Sequence, residues 1–154
     1  MANDIRTIPL RGEYQYHDEY LASAAIKPGM LVEIVSAGTM RAHASAGAKC
    51  APWFAFEDSL QGDDIDDDYA SGDRVRSGIF TTAGAEVYAL LANGETAVIG
   101  TQLVSNGDGY LKAYTADSSA VIVEEHIIGM AKEAVDMSGS SGVDPDGRIK
   151  VVLL

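Results

Sequence analysis

Several kinds of chemistry are missing from this sequence. It holds one cysteine, Cys50, so no internal disulfide can form. A thiolate zinc site is excluded too, because it needs several sulfurs or histidines at short spacing. The three histidines, His17, His43 and His126, lie far apart, and none has a neighbour at metal-ligand spacing. No Gly-x-Ser-x-Gly elbow occurs, so the serine hydrolase signature is missing. Gly139-Ser140-Ser141-Gly142 is glycine-rich but has no following Lys-Ser/Thr and no helix to receive a phosphate. It reads as a flexible loop before the last strand. Nothing in the sequence calls for a catalytic residue, a metal or a cofactor.

Positive charge is also scarce. Eleven basic residues face 23 acidic ones, for a net charge of −12, which repels phosphates and disfavours direct nucleic-acid binding. The same charge favours solubility. The longest apolar runs, such as Val151-Val152-Leu153-Leu154, are too short to span a bilayer, so no membrane contact is expected. Met1-Ala2-Asn3-Asp4 is polar and lacks the basic start and apolar stretch of a secretory signal, which predicts use without export.

What is present is a set of short apolar runs. Hydrophobic residues make up 47% of a 154-residue chain, enough for one domain with one core. Gly, Ala, Ser and Asp interrupt runs of Val, Ile, Leu and Tyr about every ten residues, the spacing of short strands in a barrel or sandwich. Leu31 to Val35 and Thr39 to Ala44 read as a hairpin across Ala37-Gly38. Trp53 to Glu57, Arg74 to Phe80, Glu86 to Leu91, Leu103 to Ser105 and Tyr110 to Tyr114 continue the series. His126 to Val135 and Arg148 to Leu154 close it. Asn93-Gly94 and Asn106-Gly107-Asp108-Gly109 are strong turn signals. Tyr16 to Ala25 offers at most one turn of helix before Pro28-Gly29. The expected fold is therefore all-β, a compact barrel or sandwich of short antiparallel strands. Residues 13–154 form its single domain, preceded by an extended N-terminal arm over residues 1–12. An edge strand of the same domain is the alternative reading of that arm.

One internal regularity stands out. Gly29 and Gly100 are 71 positions apart, and so are Gly38 and Gly109. At that offset Met40-Arg41-Ala42 lies over Leu111-Lys112-Ala113, and Phe54-Ala55-Phe56-Glu57 resembles Met130-Ala131-Lys132-Glu133 after a short insertion. Two similar hairpin units, about 28–80 and 86–154, are expected.

Two segments look like sites at first sight. Asp64, Asp66 and Asp68 alternate as calcium ligands do, but Tyr69 stands where an EF-hand needs glycine and Val75 where it needs glutamate. The run reads as a solvated loop. Trp53, Phe54 and Phe56 have the look of core aromatics on a strand rather than a ligand platform.

From Val87-Tyr88-Ala89-Leu90-Leu91-Ala92-Asn93-Gly94 through Ile99-Gly100 and Leu103 to Leu111, then Ile128-Gly129-Met130-Ala131-Lys132-Glu133-Ala134 and Arg148-Ile149-Lys150-Val151, the chain resembles the capsid decoration, or cement, proteins of tailed bacteriophages. The first half, from Pro28-Gly29 to Ser77-Gly78, is similar in style. The resemblance covers roughly residues 28–154. It departs from the family in the acidic insertion at 62–73 and the Gly-Ser loop at 138–147. It implies a non-enzymatic structural protein on the outer capsid surface of a virion, binding the major capsid protein and itself as a homotrimer. A terminal arm often makes the capsid contact in such families, which places that contact on Ile5, Arg6, Thr7, Ile8, Pro9 and Leu10. The alternatives are another virion component, such as a head-fibre base or tail protein, or a small trimeric β enzyme of the nucleotide-hydrolase kind. A carbohydrate-binding module is disfavoured by an aromatic content of 7%.

Overall fold

A computed structural model describes residues 5–116, 125–139 and 147–154. Among the described residues there is no helix; thirteen strands carry the fold. In chain order they are β1 (Pro9–Arg11), β2 (Tyr14–His17), β3 (Val32–Ile34), β4 (Met40–Ala42), β5 (Trp53–Ala55), β6 (Ser77–Phe80) and β7 (Glu86–Leu90). Then follow β8 (Thr96–Ala97), β9 (Gln102–Ser105), β10 (Leu111–Ala113), β11 (Ile127–Ala131), β12 (Val135–Asp136) and β13 (Arg148–Leu153). All strand pairings are antiparallel, and the sheets pack as a sandwich-like all-β body.

The helical turn considered at Tyr16 to Ala25 is extended chain instead. β2 pairs with β6 from Tyr14↔Phe80 to His17↔Ser77, and Leu21 and Ala22 form bridges to Arg74 and Met40. The stretch from His126 to Val135 is two strands, because the chain turns between Ala131 and Val135 and pairs the second piece with β8.

The strand order of the first half is repeated in the second. In the six-stranded sheet the order β7-β13-β11-β9-β10 follows β1. In the first half β2-β6-β5 form one sheet and β3-β4 another, joined by a Leu31↔Phe54 bridge, which gives β2-β6-β5-β3-β4. The hydrogen bonds repeat as well. Met30 N–H donates to Lys27 O, as Thr101 does to Val98 O; Val35 donates to Thr39 O, as Asn106 does to Tyr110 O. His43 donates to Leu31 O, as Tyr114 does to Gln102 O. Each of these pairs is displaced by the 71 positions that separate Gly29 from Gly100. Those two glycines sit at the third position of matching turns with φ of 97° and 90°, where a side chain would be strained. Both donate to the strand that follows the hairpin, Gly29 to Ala55 O and Gly100 to Ala131 O, each at 2.8 Å. Among the described residues one five-strand order thus occurs twice, within 14–80 and within 86–153, and the second half adds the β8–β12 pair.

One large apolar cluster runs through both units. Ile8, Leu31, Phe54, Phe56 and Phe80 from the first half pack with Val87, Leu91, Leu103, Leu111, Ile128, Ile149 and Val151 from the second. A smaller cluster of Ala22, Ile26, Val32, Met40, Trp53, Ala55, Tyr69 and Val75 belongs to the first unit alone. Trp53, Phe54 and Phe56 are all buried, and Trp53 Nε1 donates to Ser77 Oγ at 2.9 Å.

The N-terminal segment corrects one expectation. From Ile8 onward it is not a free arm. β1 pairs with β7 through Pro9↔Val87 and Arg11↔Glu86 at the edge of the six-stranded sheet. Ile8 is fully buried in the shared core, so its side chain serves this chain's own packing and is not presented to a capsid. The physical reason is that an aliphatic side chain is more stable in the apolar cluster it shares with Leu31, Phe56 and Val87 than in water.

Candidate functional site

The residues with chemical capacity that the fold brings together lie where the two units meet. Glu33 on β3, His43 just after β4 and Ser105 at the end of β9 form a line. His43 Nδ1 is 2.6 Å from Ser105 Oγ, and His43 Nε2 is 3.9 Å from Glu33 Oε2. One assignment of protons satisfies every group: Ser105 O–H donates to Nδ1, Nε2–H faces the Glu33 carboxylate, and Ser105 Oγ accepts Gly107 N–H at 3.2 Å. Glu33 Oε1 also accepts from Arg41 Nε at 2.9 Å and from Ala44 N–H at 3.2 Å. Burial holds the His43 imidazole below its usual pKa; Glu33 pulls the other way and Arg41 adds to the lowering. A cleft of about 220 Å³ opens beside it, lined by Glu33, Ile34, His43, Lys49, Cys50 and Trp53.

Acid, imidazole and hydroxyl in line invite comparison with a hydrolytic triad, but the geometry does not build one. Ser105 Oγ lies in a fully buried residue and is held by two hydrogen bonds, so no substrate carbonyl can reach it. Cys50 lines the cleft, but burial, with Glu33 adding to it, pushes its thiol up to about 11. A thiol at that value is almost wholly protonated near neutral pH and is not a nucleophile. The arrangement works instead as a polar clamp joining the units. Around it Leu31 N–H donates to Gly109 O, Gly109 N–H to His43 O and Gly47 N–H to Ser105 O.

A second polar clamp lies at Arg148, the first residue of β13. Its Nη1 donates to Pro28 O at 2.8 Å and its Nη2 to Ile65 O, while its guanidinium sits 5.9 Å from the Tyr88 ring centroid. Asp66 lies 3.9 Å from Nη2. Nε has no hydrogen-bond partner among the described residues. The sequence gives only one sign of this role, a cation opening a mostly apolar strand.

The acidic run is tied to the body by cations. Arg6 Nη1 meets Asp64 Oδ2 at 2.8 Å, Arg148 approaches Asp66, and Lys27 lies 4.0 Å from Asp68. Asp64 Oδ1 accepts the N–H of Asp66, and Asp67 Oδ2 that of Asp64. That Asp66 amide, with Arg6 beside it, lowers the Asp64 pKa. The carboxylates thus have different partners and do not converge on a common centre. Among the described residues no three His, Cys, Asp or Glu side chains gather around a point that could hold a metal.

The six residues placed at a capsid contact are divided by the fold. Arg6 and Thr7 are exposed, Ile5, Pro9 and Leu10 are half-buried, and Ile8 is interior. Thr7 Oγ1 donates to Glu57 Oε1 at 2.7 Å and Ile8 N–H to Glu57 Oε2 at 3.0 Å. Most of the Gly-Ser loop expected before the last strand, including Ser140 to Gly142, falls outside the described residues. No protein-family model matches the chain, and a search among curated proteins finds no significant relative.

Proposed function

We propose that this chain is a virion structural protein that binds the outer surface of a tailed-phage capsid and strengthens contacts between major capsid protein subunits. The resemblance over residues 28–154 supports this reading in the sequence. In the structure, the observation that carries it is the position of β1. This three-residue strand ends the six-stranded sheet, and among the described residues no strand lies beside its outer side. Exposed Arg6 and Thr7 lead into it. An open sheet edge offers backbone N–H and C=O groups for pairing with an extended segment of another chain. The contact set on this reading is Ile5, Arg6, Thr7, Pro9 and Leu10, with Ile8 removed because it is committed to the core. Each contact is modest, and several copies engaging one shell turn modest affinities into firm retention. A protein that binds the intact shell and not the opened one stabilises it by mass action.

The test compares DNA-filled particles with and without the protein, heated while DNA release is followed by dye fluorescence. Particles lacking it release DNA at a lower temperature on this reading. Identical release temperatures would overturn it.

A further inference from the structure

The internal repeat has two ends, and they match. Within the chain the first unit grips the second through defined positions. On the first unit these are the Lys27–Met30 turn, Leu31 and His43. On the second they are Ser105, Gly109 and Arg148. Every one of these positions has a counterpart in the other unit, fixed by the repeated hydrogen bonds, and there it has no unit to grip. Pro28 corresponds to Ile99, Leu31 to Gln102 and His43 to Tyr114. In the opposite direction Ser105 corresponds to Ile34, Gly109 to Gly38, and the pair Leu90–Arg148 to the pair Leu21–Arg74.

Exposure follows this correspondence. Ser105 is 0% and Leu90 1% exposed, whereas Ile34 is 47% and Leu21 42% exposed. Pro28 is buried, whereas Val98 and Ile99 in the matching turn are 60% and 74% exposed. A Cβ added at Gly29 would meet Arg148, Tyr88 and Ile8, and one at Gly109 would meet Ala42 and Met30; the same addition at Gly100 or Gly38 meets nothing. Three of the chain's exposed large hydrophobic residues, Leu21, Ile34 and Ile99, therefore stand where the matching position of the other unit is buried. The changes of residue type also fit a second interface: where His43 meets Ser105 inside the chain, Tyr114 would meet Ile34 between chains, an apolar pair replacing a polar one.

We infer that copies of this chain associate head to tail. The end carrying Val98, Ile99 and Tyr114 on one copy seats on the end carrying Leu21, Ile34 and Arg74 on the next, reproducing the interface between the two units. Such a contact is heterologous: it closes into a ring if the rotation permits and otherwise continues as a filament. The inference stands apart from the capsid reading, because it follows from the repeat alone.

The test uses the full-length protein and light scattering coupled to size exclusion at tens of micromolar. The wild-type protein runs at a multiple of 16.2 kDa. Ile34→Asp and Ile99→Asp each place a charge in the centre of one end, and each weakens association by at least about tenfold. Both positions are exposed, so both variants keep the wild-type circular dichroism and melting temperature. Mixed together, the two variants form a one-to-one dimer and stop there, since each contributes one intact end. A wild-type monomer, assembly that both variants retain, or a mixture that gives no dimer would overturn the inference.

Discussion

At the residue scale the informative side chains are His43 and Ser105, because each satisfies a buried group of the other unit. Ser105→Ala removes the hydroxyl that serves both His43 Nδ1 and Gly107 N–H. Leaving such groups unpaired costs about 1–3 kcal/mol, measurable by urea denaturation. The His43 imidazole titrates below its usual value when folded because it is buried. As pH falls through the unfolded-state value of about 6.5, the unfolded chain takes up this proton first. Stability contributed by neutral His43 is therefore full above that value and declines as pH falls from it toward the lower folded value. We expect the melting temperature to drop over this range in the wild type, and the slope to flatten in His43→Gln. An unchanged slope in the variant would show that other groups set the acid sensitivity. Gly129 makes a different point. A Cβ there would stand 2.5 Å from Val152 O and 2.7 Å from Val151 Cγ1. Gly129→Ala should then cost about 1–3 kcal/mol through overpacking, read as a lower denaturation midpoint at unchanged slope.

At the scale of elements, β1 and the residues leading into it separate packing from the proposed partner contact. Ile8, immediately before β1, fills the shared core, while Ile5, Arg6 and Thr7 lie outside that core. Ile8→Ala should destabilise the fold by about 2–5 kcal/mol, of order 10 °C in a domain of this size. Removing residues 1–7 should leave the melting temperature within about 2 °C of the wild type yet weaken retention on capsids. Equal retention by the truncated protein in a pelleting assay would place the capsid contact elsewhere. This element also marks where sequence reading stops. The hairpins at Gly38 and Gly109 are legible because glycine turns between alternating runs have a strong local signature. The all-β class follows from the same spacing. That Ile8 is interior is not legible, since the apolar cluster it joins, with Leu31, Phe56 and Val87, is drawn from distant parts of the sequence. β2, with only polar or aromatic residues from Tyr14 to His17, has an exposed face and no aliphatic alternation to announce it. The Glu33–His43–Ser105 line is invisible for a similar reason: it crosses between units, with His43 and Ser105 62 residues apart, and neither carries a local motif.

At the scale of the whole molecule the question is whether two similar units behave as one. The larger core cluster takes side chains from both, so neither unit holds a complete apolar interior without the other. β1 adds to the coupling: it precedes the first unit in sequence, extends the second unit's sheet, and is anchored to Glu57 of the first through Ile8 N–H. The two clamps at His43 and Arg148 reinforce the same boundary from opposite sides, and both would expose unpaired polar groups if it opened. Opening would also uncover Leu31, Phe54, Leu103 and Leu111 together, at about 25 cal/mol for each Å² of apolar surface. That penalty falls on any state in which one unit is folded and the other is not. We therefore expect a single unfolding transition in calorimetry, with calorimetric and van't Hoff enthalpies in agreement. The first unit has its own smaller cluster around Trp53, Met40 and Tyr69; the second has none of its own among the described residues. A fragment of residues 84–154 made alone should consequently lack a cooperative melt, and should regain it when mixed with residues 1–83. Two resolved calorimetric peaks, or a fragment 84–154 that melts cooperatively by itself, would show that the duplicated units are independent domains and that the shared core contributes little.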